Sequence, residues 1–306
     1  MQQLSTNAWQ IGRVKITRIM ELGDVPFPAE VLFTNYDPAD LAAQDWMRPH
    51  YLGEDNNPIL SVHTFVVETP DRLILVDTCT GNDKPRVTEL FDHLQTGYLD
   101  DLAAVGAPPE RVDTVLCTHL HLDHVGWNTR LEGDRWVPTF PNAEYLFGRV
   151  EWEHWEANKD IEIVEGATGE ANPIVNASAV IHDSILPVVD AGLHRLVETD
   201  HRICDELRLE ATPGHTPGHV SVHIESDGDH AIISGDMLHS PYQMARPGVG
   251  VVFDSDGERA AATRRDFFGR YADRPILLLG THFATPVAGH IVSHGDSWRF
   301  EPWGNL

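Results

Sequence analysis

The sequence predicts an α/β protein built as a four-layered αββα sandwich. Three observations lead there. Short runs rich in Val, Ile and Leu gather in two halves of the chain. Helix-compatible stretches lie between and after them. Several apolar runs stop abruptly at polar, histidine-bearing segments, as buried strands of layered α/β proteins do. The 306 residues suffice for one large domain with a substantial core. We therefore expect a single domain over 1–306, with an N-terminal arm over about 1–55 and a helical insert over about 148–200.

In chain order, residues 14–20, 60–68 and 73–77 read as strands. Residues 87–105 read as helical, interrupted near Gly97. The run 112–118 is a buried strand that ends at a histidine-rich segment. A short strand is expected over 144–147, a helix over 150–158, and a second insert helix over 173–189. Residues 206–212 and 220–225 begin a second β-rich half. Val220, Val222 and Ile224 alternate there with Ser221, His223 and Glu225, so one face is buried. A strand over 231–234 ends at Gly235 and Asp236, a helix spans 258–271, and a strand over 275–279 ends at Gly280, Thr281 and His282. A terminal strand or hairpin covers 290–300.

Composition limits the partners. With 22 basic and 47 acidic residues the formal charge is −25, which argues against a nucleic-acid backbone or an anionic membrane surface. The three cysteines, Cys79, Cys117 and Cys204, cannot form a disulfide framework and read as buried free thiols of a reducing compartment. Residues 1–23 hold no apolar stretch of signal-peptide type, and no run approaches membrane-spanning length, so a cytoplasmic protein is expected. The acidic run over 151–170 reads as a solvated helix face. The 18 histidines remain to be explained.

Their placement is uneven. Thr118-His119-Leu120-His121-Leu122-Asp123-His124 puts four metal-competent side chains into six residues. In extended backbone, positions i and i+2 share a face, so His119 and His121 can grip one cation. The chain must then turn for Asp123 and His124 to aim elsewhere, and Gly126 is placed to allow it. That is more than one tetrahedral ion needs from one loop, and it hints at two metals with further ligands from distant loops. The Pro/Gly-rich run TPGHTPGH (212–219), SGD (234–236) and GTH (280–282) each place such side chains after a strand.

With VDT (76–78) preceding them, these motifs resemble those of the metallo-β-lactamase superfamily, in the family's order and across most of the chain. The resemblance implies that His119, His121 and His215 hold one metal, that Asp123, His124 and His282 hold a second, and that Asp236 bridges the two. It implies supporting roles for Asp77 and His219. Two divalent ions, zinc first with manganese, iron or cobalt as alternatives, would leave the centre positively charged despite two aspartates and a bridging hydroxide. Hydroxide would attack a carbonyl or phosphoryl centre, and Asp123 would pass a proton to the leaving alkoxide.

Within the superfamily the chain is most similar to the N-acyl-homoserine lactonase and methyl parathion hydrolase group. The length, the insert before TPGHTPGH, the GDxxHxxxQ-like run over 235–243 and GHI (289–291) carry that likeness. It implies lactone opening or carboxylic-ester cleavage. An aryl phosphotriester hydrolase is the alternative, and a glyoxalase II-like thioesterase or a mononuclear iron persulfide dioxygenase stand further off. Lactamases with a zinc-binding cysteine place it where Asp236 stands here. Many homoserine lactonases have a tyrosine three residues after the bridging aspartate. Here that position is His239, with Tyr242 three further on. His239 either replaces the tyrosine as an electrophile or lines the cavity, and both residues join Asp123 as catalytic candidates. Trp127, Trp152, Trp155 and Phe283 suggest an apolar wall for a small ester or lactone. An N-terminal arm often serves a dimer in this group, which leaves a homodimer as an open expectation.

Overall fold

The computed structural model describes residues 1–5, 7–159 and 177–304. Two sheets face each other. The eight-stranded sheet runs Gln2–Ser5, Ala8–Ile11, Val14–Pro26, Ile59–Glu68, Leu73–Val76, Thr114–Leu116, Glu144–Gly148, His194–Val197 in spatial order. The six-stranded sheet runs Leu207–Ala211, Val220–Ser226, Asp229–Ile233, Ile276–Leu279, Ala288–His294, Ser297–Pro302. The last four strands of the first sheet are parallel, as are Asp229–Ile233 and Ile276–Leu279 in the second.

Strand periodicity sets the layers. Ile74, Val76 and Leu116 share one buried cluster with Val222, Ile224, Ile233 and Leu279 of the other sheet. The alternate residues Leu75, Val115 and Cys117 join a second cluster with Leu102, Ile181, Ile185 and Trp155, on the helical side of the eight-stranded sheet. Parallel strands buried on both faces explain why Val115, Leu116 and Cys117 are apolar in succession and do not alternate with polar residues. On the far side of the six-stranded sheet lies Gly257–Tyr271, capped by the Asp256 side chain, which accepts from the Arg259 amide. It buries Ala260, Ala261, Arg264, Phe267 and Phe268, an apolar stripe at helical spacing apart from one arginine. Phe268 meets Trp298, and Tyr271 meets His223. The four expected layers are present.

Three departures have local causes. Only Tyr98–Ala104 of the stretch 87–105 is an α-helix, preceded by a one-turn 3-10 segment at Glu89–Phe91. The backbone breaks at His93, where φ is +46°, and the Asp92 carboxylate accepts from the Arg86 amide, which folds the segment back as a loop. Of the helix expected over 173–189, residues 173–176 lie outside the described residues. The rest is helical, but Ile181–Ile185 widens into a π turn just before Pro187, which has no amide hydrogen to continue the ladder. The hairpins Gln2–Ser5 with Ala8–Ile11 and Thr129–Glu132 with Arg135–Pro138, and the edge strand His194–Val197, carry too little alternation to be read in advance. Cys79 and Cys117 are buried, while Cys204 is only half-buried. Among the described residues no helix is long and apolar enough to cross a membrane.

Candidate metal centre

The carboxyl ends of Leu73–Val76, Thr114–Leu116, Asp229–Ile233 and Ile276–Leu279 open toward one place. The loops leaving them carry Asp77, His119 to His124, Asp236 and His282, and the turn after Leu207–Ala211 brings His215. Side-chain donor atoms of His119, His121, His215 and Asp236 lie within 4.8 Å of one another, as do those of Asp123, His124 and His282. Asp236 touches both sets: its Oδ1 is 3.2 Å from His124 Nε2, and its Oδ2 is 3.1 Å from His282 Nε2 and 3.5 Å from His215 Nε2. All seven residues anticipated from the motifs are together.

The turn that separates the two sets is not made at Gly126, whose φ of −59° is ordinary. It is made by the short helix Leu122–Val125, which starts directly after His121. Gly126 serves a different need: a Cβ there would sit 1.8 Å from the Thr80 carbonyl oxygen, so only glycine lets the two loops pack.

Behind His124, His282 and His215 stands an acceptor that fixes which nitrogen faces inward. His124 Nδ1 donates to Asp77 Oδ2 at 2.9 Å, and Asp77 also accepts from the Thr118 amide and hydroxyl. His282 Nδ1 donates to the Ser61 carbonyl at 3.0 Å. His215 Nδ1 donates to Asp254 Oδ1 at 3.0 Å. His119 Nε2 is buried, makes no hydrogen bond among the described residues and lies 3.7 Å from Asp236 Oδ2. His219 stands outside the ring: its Nδ1 faces Thr212, and its Nε2 accepts from the Asp236 amide at 2.8 Å. Asp254 and Ser61 were missed because an Asp in a turn and a backbone carbonyl leave no motif. Glu151 was misread. It is 1% exposed and hydrogen-bonds both histidine loops, whereas Glu153 and Glu156 of the same acidic run are exposed as expected and 160–170 lie outside the described residues.

The electrostatics suit cation binding. Burial by itself would raise the Asp236 carboxyl, but His124, His282, His239 and His119 outweigh it and hold the group well below the usual carboxylate range. Burial, reinforced by neighbouring imidazoles, holds His119 and His121 well below the usual histidine range, so their lone pairs are available. These are the states in which histidine and aspartate ligate metals, whereas against burial the carboxylates of Asp236 and Asp123 push His124 and His282 up, so a cation there would displace a proton.

Above this polar floor lies a cavity walled by Leu22, Val25, Phe27, Leu90, Phe91 and Phe253, with Asp123 and His239 at its base. Among the described residues, no Lys or Arg lines it. The wall comes from the N-terminal strand, the 78–97 loop and the 249–254 loop, not from the expected aromatics. Trp127 stacks on Tyr98 and donates to Glu21 at 2.6 Å, away from the cavity. Trp152 is half-buried beside His194. Trp155 lies behind the floor, its ring edge-on to His121 with centroids 5.5 Å apart. Phe283 is fully buried against Tyr51 and Phe300. Tyr242 packs on Phe33, and its hydroxyl donates to Asp40 at 2.9 Å, so it anchors the N-terminal arm instead of facing the site.

A model of the metallo-beta-lactamase superfamily matches residues 58–268. An N-acyl homoserine lactonase of a Bacillus species is 25% identical over 185 residues, covering 55% of this chain and 60% of the relative. The Bacillus cereus enzyme of that name gives the same identity and coverage. The chain thus spans 60% of the length of these curated relatives. Among solved structures, the hydrolase AbOPH superposes with a TM-score of 0.81 at 25% identity over 100% of both chains. AidC, a dizinc quorum-quenching lactonase in complex with its product, superposes at 0.78 with 20% identity over 98% of both and shares the fold. The family match takes in VDT (76–78), THLHLDH (118–124), TPGHTPGH (212–219) and SGD (234–236) and ends before GTH (280–282), and the chain belongs to the metallo-β-lactamase superfamily.

Proposed function

We propose that this protein is a dinuclear metal-dependent hydrolase that opens lactones or cleaves carboxylic esters of neutral, apolar small molecules. One observation carries the reading: seven His and Asp side chains converge on two adjoining positions at the floor of an apolar cavity that no described Lys or Arg lines. His119, His121 and His215 would hold one ion, Asp123, His124 and His282 the other, and Asp236 both. The inward-facing nitrogens and the ionised Asp236 fit zinc or a similar divalent ion. When bound, the ions supply Lewis acidity and a water that ionises near neutral pH.

The chain's own residues do the rest. The wall of Leu22, Val25, Phe27 and Phe91 takes the apolar part of the substrate out of water and leaves its reacting carbonyl at the floor. Asp123, with 18% of its side chain exposed, faces the cavity and is placed to pass a proton to the leaving oxygen. His239 Nε2 lies 3.1 Å from Asp236 Oδ2, and its ring stacks on His282. The tautomer that donates to Asp236 leaves Nδ1 as an acceptor, which favours a lining role over that of an electrophile. A cavity without cationic side chains suits neutral esters better than an anionic glutathione thioester.

The test is a hydrolysis panel on metal-quantified enzyme: acyl-homoserine lactones, aryl lactones, aryl esters and a phosphotriester. We expect about two divalent ions per chain, loss of turnover on chelation, and the highest kcat/KM on a lactone or carboxylic ester. A phosphotriester ranking first would move the reading to the alternative branch. A single iron with thiol-dependent oxygen uptake, or full activity without metal, would overturn it.

A further inference from the structure

Glu151 lies in the first turn of Arg149–Ala157, outside every motif that carries a ligand. Its Oε1 accepts from the Leu120 amide at 3.2 Å and from the Trp155 indole at 2.6 Å. Its Oε2 accepts from the Gly218 amide at 3.0 Å. Leu120 sits between His119 and His121. Gly218 sits three residues after His215 and directly before His219. One carboxylate therefore holds a backbone amide on each of the two histidine loops. Between those loops, His121 Nδ1 and His215 Nε2 lie 2.9 Å apart.

The contact is close on every side. A Cβ on Gly218 would lie 2.3 Å from the Glu151 backbone nitrogen, so the loop touches the start of the helix itself. Trp155, four residues on, binds the same carboxylate and lays its ring against His121. We propose that Glu151 is a positioning residue for the first metal: it sets the separation of the two histidine loops, and through Trp155 the tilt of His121. The proposal rests on the metallohydrolase reading above. A merely structural role would require only that the helix dock. The chemistry here requires an acceptor-only group, because three N–H donors converge on two oxygens. Glutamine fills the same space but has one acceptor oxygen, and its amide nitrogen must face an N–H on one loop.

The experiment compares the wild-type holoenzyme with Glu151→Gln and Trp155→Phe. Zinc release to a chromophoric chelator gives the affinity, and cobalt-substituted protein gives the ligand-field spectrum. Glu151→Gln is expected to stay folded, to hold one of its two ions about 10–100-fold more weakly, and to shift the cobalt bands. Trp155→Phe, which keeps both backbone contacts, is expected to shift the spectrum with a smaller loss of affinity. Unchanged zinc affinity and cobalt spectrum in Glu151→Gln overturns the proposal and leaves the hydrolase reading standing. A wild-type protein that takes up no metal sinks both. If Glu151→Gln does not fold, amide exchange in the wild type decides. Zinc should slow exchange at Leu120 and Gly218 together, and equal rates with and without zinc overturn the proposal.

Discussion

Two buried polar clusters, one between the 78–97 loop and the helical turn Ile181–Ile185 and the other on loops that leave both sheets, are built on opposite plans. Under the insert, Arg86 binds Asp183 through both terminal nitrogens at 2.6 and 3.0 Å. Lys84 donates to Thr129 Oγ1 at 2.6 Å and to the Asp183 carbonyl at 2.9 Å, with the Trp136 ring 3.7 Å from its ammonium. Apart from Arg86 Nε, charge and donors there are answered from within the cluster. In the candidate metal floor every residue is a carboxylate or an imidazole, no Lys or Arg among the described residues lines it, and outer partners turn the inner nitrogens of His124, His215 and His282 toward shared points. A cluster that closes on itself supports the fold. A cluster whose lone pairs converge is a site for something else.

Substitutions should separate the two. The largest effect is expected for Asp236→Ala, which touches both ligand sets. Metal analysis should find both ions weakened, and turnover should fall by more than the ~10–100-fold typical of residues that only orient ligands. Unchanged metal content would break the comparison from the floor's side. Asp183→Ala should do the converse. It strands Lys84 and Arg86 in a buried place, at a cost of about 3–5 kcal/mol, with metal content unchanged. Denaturant unfolding and metal analysis on the same sample check both halves.

A third test of the closed cluster is one of pH. Burial pushes the Lys84 ammonium down to about 7 from 10.5, against Asp183 and Asp83, which raise it, and with Arg86, which lowers it further. Between those values the unfolded chain holds a proton that the folded chain has released. The contribution of Lys84 to stability therefore rises with pH from about 7 to 10.5 and is flat below. Lys84→Met should abolish that rise, as unfolding midpoints across the window would show. An identical slope in the variant would mean that the lysine is not the group responsible.

The floor and the fold were legible for the same reason. Strand periodicity, and the polar residues that follow strand ends, are local patterns, so His119, His121, Asp123, His124, His215, Asp236 and His282 could be picked out from spacing and family resemblance. The supporting acceptors were less so. Asp77 stands in a motif, but Asp254 lies 39 residues from His215, the histidine it orients. The acidic run that contains Glu151 disguised a carboxylate that is buried.

By itself, then, the sequence determined the layered architecture and the seven candidate ligands, because these follow from periodicity, residue type and family resemblance. Tertiary structure decided which aromatics face the cavity. Trp127 and Phe283 are spent in packing, while Phe27, Phe91 and Phe253 form the wall. It also decided that Tyr242 anchors the N-terminal arm and that Glu151 joins two loops. Those outcomes depend on which side of a loop meets which neighbour across the chain, and no local pattern encodes that.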